Sequence, residues 1–176
     1  IFDSRLSQRQ EILTCLTEMI EMYYQAGIQI KCIPGNHDKT DSNSERSYLD
    51  IFGEKCVHLY RSAGRVLLDG CVIGFIPYFQ DEKWLEEFQR LEDEIDDNPR
   101  EEDIQIDDAT ILITHMGFDG VVNNDGSRVN SVIKPSMFKN WTKVLIGHYH
   151  NASELADNVI YTGSAYQNNY GENITD

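Results

Sequence analysis

Three short polar clusters each follow a run of apolar residues. They are Gly35-Asn36-His37-Asp38, Thr114-His115 and Gly147-His148-Tyr149-His150. Sheet proteins place functional groups on the loops that follow strands, so these clusters are candidates for one shared site. Neutral imidazole and carboxamide oxygen are suitable ligands for Mn²⁺, Fe²⁺ or Zn²⁺. A pair of such ions can activate water and neutralise the charge that develops when a phosphate ester is cleaved.

A single histidine after a strand is more often a structural residue than a metal ligand. Joint occurrence favours the ligand interpretation here, because Asn36, His115, His148 and His150 all fall at predicted ends of strands. In the His148-x-His150 spacing an extended backbone directs both rings to one side, which suits two neighbouring ions. His58 stands in an apolar run without such companions, and we interpret it as structural.

His37 and Asp38 are candidates for a different task. A histidine beside a metal ligand, oriented by an adjacent carboxylate, can stabilise a transition state or protonate a leaving alkoxide. The alternative is that Asp38 only caps its own loop, which is common turn chemistry for aspartate. Both interpretations stay open on the sequence alone.

Size and composition indicate a globular protein with one core. The chain has 176 residues and a mean hydropathy of -0.46, which suits one domain better than two. No apolar stretch is long enough to span a membrane, and nothing at Ile1 resembles a signal peptide. Because the first residue is not Met, we expect a start that is processed, truncated or incomplete. The four cysteines form no CxxC pair, which favours buried reduced thiols and a cytoplasmic location.

The net charge of -15 is concentrated in one segment. Residues 81–108 hold fourteen Asp and Glu against three Lys and Arg, so they carry -11 and leave -4 for the rest of the chain. We expect a solvated acidic helix and loop here; the alternatives are a contact for a basic partner subunit or a fence that keeps DNA off one face. The charge does not exclude a phosphate substrate, since bound cations can invert the local field.

Periodicity and turn residues indicate the elements that must position the clusters. They predict helices at residues 7–26, 44–52, 83–95 and 135–141, the first opening with a capping box of Ser7 and Gln10 and stopping at Gly27. Strands are predicted at residues 28–33, 65–68, 71–76, 110–114, 143–146 and 159–162, with Asp69-Gly70 as a hairpin turn. This pattern favours a mixed α/β (α+β) fold, a two-sheet β-sandwich flanked by helices.

Taken in order, the three clusters resemble the motifs of the calcineurin-like metallophosphoesterases. Two further segments resemble one branch of that superfamily: the opening Ile1-Phe2-Asp3-Ser4-Arg5, and the stretch from Tyr161-Thr162-Gly163-Ser164 to Gly171-Glu172. That branch contains the nuclease subunits of SbcCD-type DNA repair complexes, including the meiotic recombination eleven nuclease and phage recombination endonuclease subunits. The resemblance spans essentially the whole of residues 1–176, which would form a single metallophosphoesterase domain with an acidic helix and loop at about 81–108.

The resemblance implies a role for each matched residue. Asn36, His115 and His148 would bind one divalent ion and His150 the other, with Mn²⁺ as the expected metal. His37 would be the catalytic histidine and Asp38 its partner. The expected partners are DNA, an SbcC-type SMC-like ATPase subunit and a second copy of the chain, in the cytoplasm of a bacterium or a phage-infected host cell, with no membrane.

The sequence also departs from the family pattern. An opening Asp-x-His and the Asp that bridges both metals are absent before Ile1, and the chain stops soon after Glu172. We therefore expect an incomplete domain that lacks its N-terminal strand and its C-terminal part and that is inactive alone. Two alternatives to a DNA nuclease remain: a small-substrate phosphoesterase of the same superfamily, and a catalytically dead phosphoesterase-like scaffold.

Overall fold

The computed structural model describes residues 1–2, 5–52, 57–97, 109–119, 121 and 128–165. Their α-helices are α1 (Gln10–Gln25) and α2 (Asp81–Asp97). Their strands are β1 (Ile30–Cys32), β2 (Val57–Leu59), β3 (Gly64–Leu68), β4 (Cys71–Ile76), β5 (Thr110–His115), β6 (Lys143–Gly147), β7 (Ser153–Ala156) and β8 (Val159–Tyr161). Short 3₁₀ helices occupy Tyr48–Phe52 and Pro135–Phe138, where longer helices were expected.

Two sheets organise these strands, as the sequence predicted. The larger sheet has the order β3-β4-β5-β6-β8-β7 and the smaller one pairs β1 with β2 in parallel. In the larger sheet β4, β5, β6 and β8 run parallel, whereas β3 and β7 pair antiparallel at the two edges. The architecture is therefore mixed α/β, with a central parallel part and antiparallel margins.

The Asp69-Gly70 hairpin was predicted correctly, and its backbone shows why. Asp69 has φ of 49° and Gly70 has φ of 78°. A two-residue turn of this kind needs positive φ at both central residues, which Asp and Gly tolerate better than most side chains. The turn fixes the register of β3 on β4, with Leu68 opposite Cys71 and Gly64 opposite Phe75.

Helix α1 ends where expected but begins later. Gly27 adopts φ of 72° and its N–H bonds the Tyr24 carbonyl, which closes the last turn. The predicted capping box at Ser7 is wrong, because the N-cap is Arg9, whose backbone is extended (φ -75°, ψ 141°) and whose side chain makes no capping hydrogen bond. No residue of α1 is fully buried, and Cys15 on this helix is exposed rather than buried.

Helix α2 carries the predicted apolar stripe into the main core. Trp84, Phe88 and Leu91 are buried, and Ile95 packs against the same cluster. Its acidic face is partly used in contacts: the Glu87 carboxylate accepts the Ala63 N–H at 2.6 Å and ion-pairs with Arg90 at 2.9 Å. The second half of the acidic segment, residues 98–108, lies outside the described residues, as does Cys56.

Strands β2 and β7 were missed by the sequence patterns. Strand β2 has three residues, too few for a period-two pattern. Strand β7 is an edge strand of four residues, Ser153-Glu154-Leu155-Ala156, of which the first two are polar and exposed, and it has a register shift against β8. Among the described residues, no helix is long and apolar enough to cross a bilayer.

A buried hydrogen bond joins α2 to the strand that carries the second cluster. The Trp84 indole N–H donates to the Thr114 hydroxyl at 3.0 Å, and both side chains are almost fully buried. Thr114 therefore serves packing, while its neighbour His115 faces the cleft described below.

We expect Thr114→Val to destabilise the fold by about 1–3 kcal/mol, because it leaves the buried Trp84 N–H without an acceptor. Chemical denaturation measures this cost. In the Trp84→Phe/Thr114→Val double variant the two losses should be less than additive, since each single change removes the same bond. Strict additivity would show that the bond contributes nothing of its own.

Candidate functional site

The parallel strands β5 and β6 of the larger sheet bring His115 and the loop of His148 and His150 to one edge, and the loop of Asn36, His37 and Asp38 follows β1 of the smaller sheet. His115 ends β5 and pairs with Gly147, which ends β6, so His148 follows immediately beside it. The neighbouring strand β4 ends at Ile76, which pairs with Thr114. Because the carboxyl ends of parallel strands meet at the same edge, three separate loops converge there.

An open cleft at this edge contains all six residues that the sequence singled out. Asn36, His37, Asp38, His115, His148 and His150 line it together with Gly35, Gly147, Tyr149, Gly163 and Ser164. The expected convergence of these residues is therefore present in the fold. Their individual roles as ligands or catalytic groups remain predictions. His58 lies exposed on β2 and packs against Tyr60, with ring centroids 4.5 Å apart.

Asn36 and His115 are in direct contact in the cleft. The Asn36 Oδ1 and His115 Nε2 atoms are 3.0 Å apart. A carboxamide oxygen can only accept, so this contact is a hydrogen bond when His115 is the tautomer with its proton on Nε2. The His148 ring packs edge-on against His115, with centroids 5.2 Å apart. An amide oxygen and two imidazole rings, all suitable as metal ligands, therefore lie next to one another in the cleft.

Two glycines leave the space that His115 occupies. A Cβ on Gly35 would lie 2.8 Å from His115 Cε1, and a Cβ on Gly147 would lie 2.8 Å from His115 Nδ1. Neither glycine needs a positive φ, so close approach rather than backbone freedom explains both. The imidazole is held between two loops that only glycine allows to come this near.

The loop of the third cluster is strained at one residue. His148 has φ of 123°, a region that side chains other than glycine rarely adopt. A segment after β8 holds this loop in place, because the Ser164 N–H donates to the His150 carbonyl at 2.9 Å. Gly163 lies so close that a Cβ there would be 2.9 Å from Ala152 N, and its φ is 74°. The Gly163-Ser164 segment thus packs directly behind the histidine loop.

Burial keeps the two central imidazoles neutral. Desolvation, followed by the proximity of His148, lowers the pKa of His115 to about 3. Desolvation, followed by His37, lowers the pKa of His148 to about 4. Both rings are therefore neutral at neutral pH, with one ring nitrogen free of a proton, which is the form that binds metal ions.

Asp38 is engaged by its own loop. Its Oδ2 accepts the Gly35 N–H at 2.7 Å and its Oδ1 accepts the Phe2 N–H at 3.0 Å, with the carboxylate almost completely buried. In the described part of the chain no hydrogen bond joins Asp38 to His37. These contacts favour loop capping by Asp38, and its role as the partner of His37 stays a prediction.

The donor types fit a divalent ion, whereas the described ligand set is sparse. Two ligands about 2.1 Å from one ion and at right angles lie roughly 3.0 Å apart, which matches the separation of Asn36 Oδ1 and His115 Nε2. Among the described residues, however, no group of three His, Cys, Asp or Glu side chains has metal-binding spacing. The assignment of Asn36, His115 and His148 to one shared ion therefore stays a prediction.

Sequence reasoning missed two residues that contact the site: Tyr78, whose ring packs against His115 and His148, and Lys39, which binds the Tyr78 carbonyl. Tyr78 lies two residues beyond β4, which runs parallel to β5, and this position at the end of a parallel strand could have marked it as a site residue. The position can be recognised only once β4 is known to pair with β5. In the sequence β4 reads as one arm of a hairpin.

Comparison with known proteins gives one curated relative. The chain is 26% identical over 169 residues to exonuclease subunit 1 of Enterobacteria phage T4, a match that covers 94% of this chain. It covers 45% of that relative, so the chain spans less than half the relative's length. No protein-family model matches the chain.

We expect Gly147→Ala and Gly35→Ala to displace the His115 ring, since each adds a methyl group within van der Waals overlap of it. Overpacking of this kind costs about 1–3 kcal/mol. Histidine-detected NMR of the metal-free protein should show loss of the hydrogen-bonded His115 Nε2 signal.

Gly117→Ala is the matched control for this pair. Its added Cβ would meet the Tyr149 hydroxyl at 3.1 Å and not the His115 ring. The His115 signal should be retained in this variant. An unchanged His115 signal in both Gly147→Ala and Gly35→Ala would refute the packing explanation.

Metal-free protein should lose stability as the pH falls below about 6.5. The unfolded chain takes up protons on His115 and His148 near pH 6.5, whereas the folded chain does so only near pH 3 to 4. At pH 5.5 this costs about 1–2 kcal/mol per histidine. Denaturation in chelator at pH 7.5 and 5.5 measures it. A His115→Gln/His148→Gln variant should show a shallower dependence; an equal slope would assign the loss to other groups.

Proposed function

We propose that this chain is the nuclease part of a DNA-processing complex, and that it hydrolyses phosphodiester bonds with two divalent metal ions, most favourably Mn²⁺. The observation that carries the proposal is the convergence of Asn36, His37, His115, His148 and His150 in one cleft. Similarity to a phage exonuclease subunit over nearly the whole chain favours a nuclease over other phosphoesterases.

The proposed metal ligands follow from the donor chemistry of the cleft. Asn36, His115 and His148 would hold one ion and His150 would contribute to the other. When bound, such a pair of ions supplies a water-derived nucleophile and neutralises charge on the phosphate. The low pKa values of His115 and His148 support this assignment, because neither ring is cationic at neutral pH and each keeps one nitrogen free to bind.

His37 is the proposed acid in the same reaction. It follows Asn36 directly and lines the cleft together with His148. A histidine at this position can donate a proton to the leaving alkoxide. Asp38 would hold the loop in place through the Gly35 N–H rather than touch the substrate.

The proposed partners are DNA and a second subunit. The T4 relative is named as a subunit, and on that basis we propose that this chain acts with an SbcC-type SMC-like ATPase and as a homodimer. An anionic substrate is favoured by the Arg5 guanidinium, which lies beside the cleft and donates to the Asn36 carbonyl at 3.2 Å.

We expect the full-length protein to cleave linear DNA with Mn²⁺ and to lose that activity in chelator. His37→Ala should lower turnover by about 10²–10⁴-fold, since it removes an acid–base group. Its metal content, measured by elemental analysis, should stay near that of the unaltered protein.

His58→Ala is the control, because His58 lies exposed on β2 outside the cleft. It should retain full activity. Loss of bound metal in His37→Ala would make His37 a ligand instead of an acid. Cleavage of phosphomonoesters without cleavage of DNA would favour the small-substrate phosphoesterase, and metal binding without any hydrolysis would favour the scaffold.

A further inference from the structure

Tyr78 contacts both central imidazoles from outside the cleft. Its ring lies edge-on to His115 with centroids 6.0 Å apart, and nearly parallel to His148 with centroids 6.2 Å apart. The two imidazoles belong to different loops, at the ends of β5 and β6. One aromatic side chain therefore packs against two of the three loops that form the site.

The main chain of Tyr78 contacts the remaining loop at both of its ends. The Tyr78 N–H donates to the Pro34 carbonyl at 2.9 Å, just before Gly35-Asn36. The Tyr78 carbonyl accepts from the Lys39 ammonium at 2.6 Å, just after His37-Asp38. The loop that carries Asn36 is thus bound on either side to one residue.

Lys39 is suited to this contact because it is buried and fixed. Its side chain has no exposed surface, and its ammonium lies 3.8 Å from the centroid of the Phe79 ring. A buried ammonium costs free energy unless hydrogen bonds and an aromatic face compensate, so its position is specified by those partners. Two adjacent residues supply these partners: Tyr78 accepts the hydrogen bond with its carbonyl, and Phe79 offers the face of its ring.

We propose that Tyr78 is the positioning residue that holds the three site loops in mutual register. It would act through His115, His148 and the 34–39 loop, because it does not line the cleft itself. Separate loops at the ends of separate strands can shift independently unless a shared contact couples them. Residues packed behind metal ligands commonly set ligand orientation in this way. The inference rests on the proposed metal-binding function of the cleft.

Three variants of the full-length protein separate the ring, the hydroxyl and the main-chain contact. Tyr78→Phe keeps the ring, Tyr78→Leu removes it, and Lys39→Met removes the ammonium that binds the carbonyl. We expect Tyr78→Leu and Lys39→Met to weaken Mn²⁺ binding about 10–100-fold, measured by electron paramagnetic resonance of free Mn²⁺. Tyr78→Phe should stay within about twofold of the unaltered protein.

Tyr60→Leu is the matched control for a loss of aromatic packing. Tyr60 is buried and stacks on Phe75 with centroids 4.1 Å apart, away from the cleft. It should lower stability and leave Mn²⁺ affinity unchanged. An equal loss of affinity in Tyr60→Leu would make the effect one of general stability and overturn the proposal.

A second readout does not depend on metal or on nuclease activity. Histidine-detected NMR of the metal-free protein should show displaced His115 and His148 signals in Tyr78→Leu and unmoved signals in Tyr78→Phe. If the unaltered protein binds no Mn²⁺, the proposed function fails while these signals still decide the role of Tyr78. Unmoved signals in Tyr78→Leu, or equal displacement in Tyr78→Phe, would overturn the positioning role of Tyr78.

Should Tyr78→Leu fail to fold, Lys39→Met tests the same coupling of the loops, and unmoved signals there overturn the proposal as well.

Discussion

The close packing of His115 between two glycine backbones is the constraint on which the site depends. Gly35 comes from the loop after β1 and Gly147 ends β6, so His115 joins the smaller sheet to the larger one. Neither approach is possible if a Cβ is present. The Asn36–His115 contact of 3.0 Å exists because this packing fixes the ring at one place and one angle. The geometry of the cleft is therefore set by backbone proximity before any ligand binds.

Burial determines the electrostatics of the same residues. Rings that are removed from water and placed beside one another resist protonation, which lowers the pKa of both His115 and His148. A cluster of neutral imidazoles is costly to build, since each gives up hydration and gains few hydrogen bonds. The strained backbone of His148 adds to that cost. Strain and desolvation concentrated at one edge of a sheet are typical of a functional site, where stability is exchanged for a fixed arrangement of donors.

Much of the fold followed from local patterns. The Asp69-Gly70 turn, the apolar stripe of α2 and the buried strand at residues 110–114 depend on neighbouring residues, and all three were predicted from them. Failures occurred where tertiary contacts or short length override local preference. The Ser7 capping box looked suitable, yet the backbone is extended to Arg9 and the helix starts at Gln10. Strand β2 is too short to show a period, and its pairing with β1 is a long-range contact.

The sequence by itself determined which residues face the cleft, because histidine and asparagine directly after apolar strands give both the ligand chemistry and the position at a strand end. The convergence of His115, His148 and His150 follows from parallel strands that end at one edge, whereas Asn36 reaches the same cleft from the loop after β1 in the smaller sheet. Only the tertiary structure decided what surrounds them. That Gly35 and Gly147 both contact His115, and that Tyr78 contacts three loops, depends on the pairing of β4 with β5 and β5 with β6. Those pairings join residues tens of positions apart, and no local pattern encodes a distance of that kind.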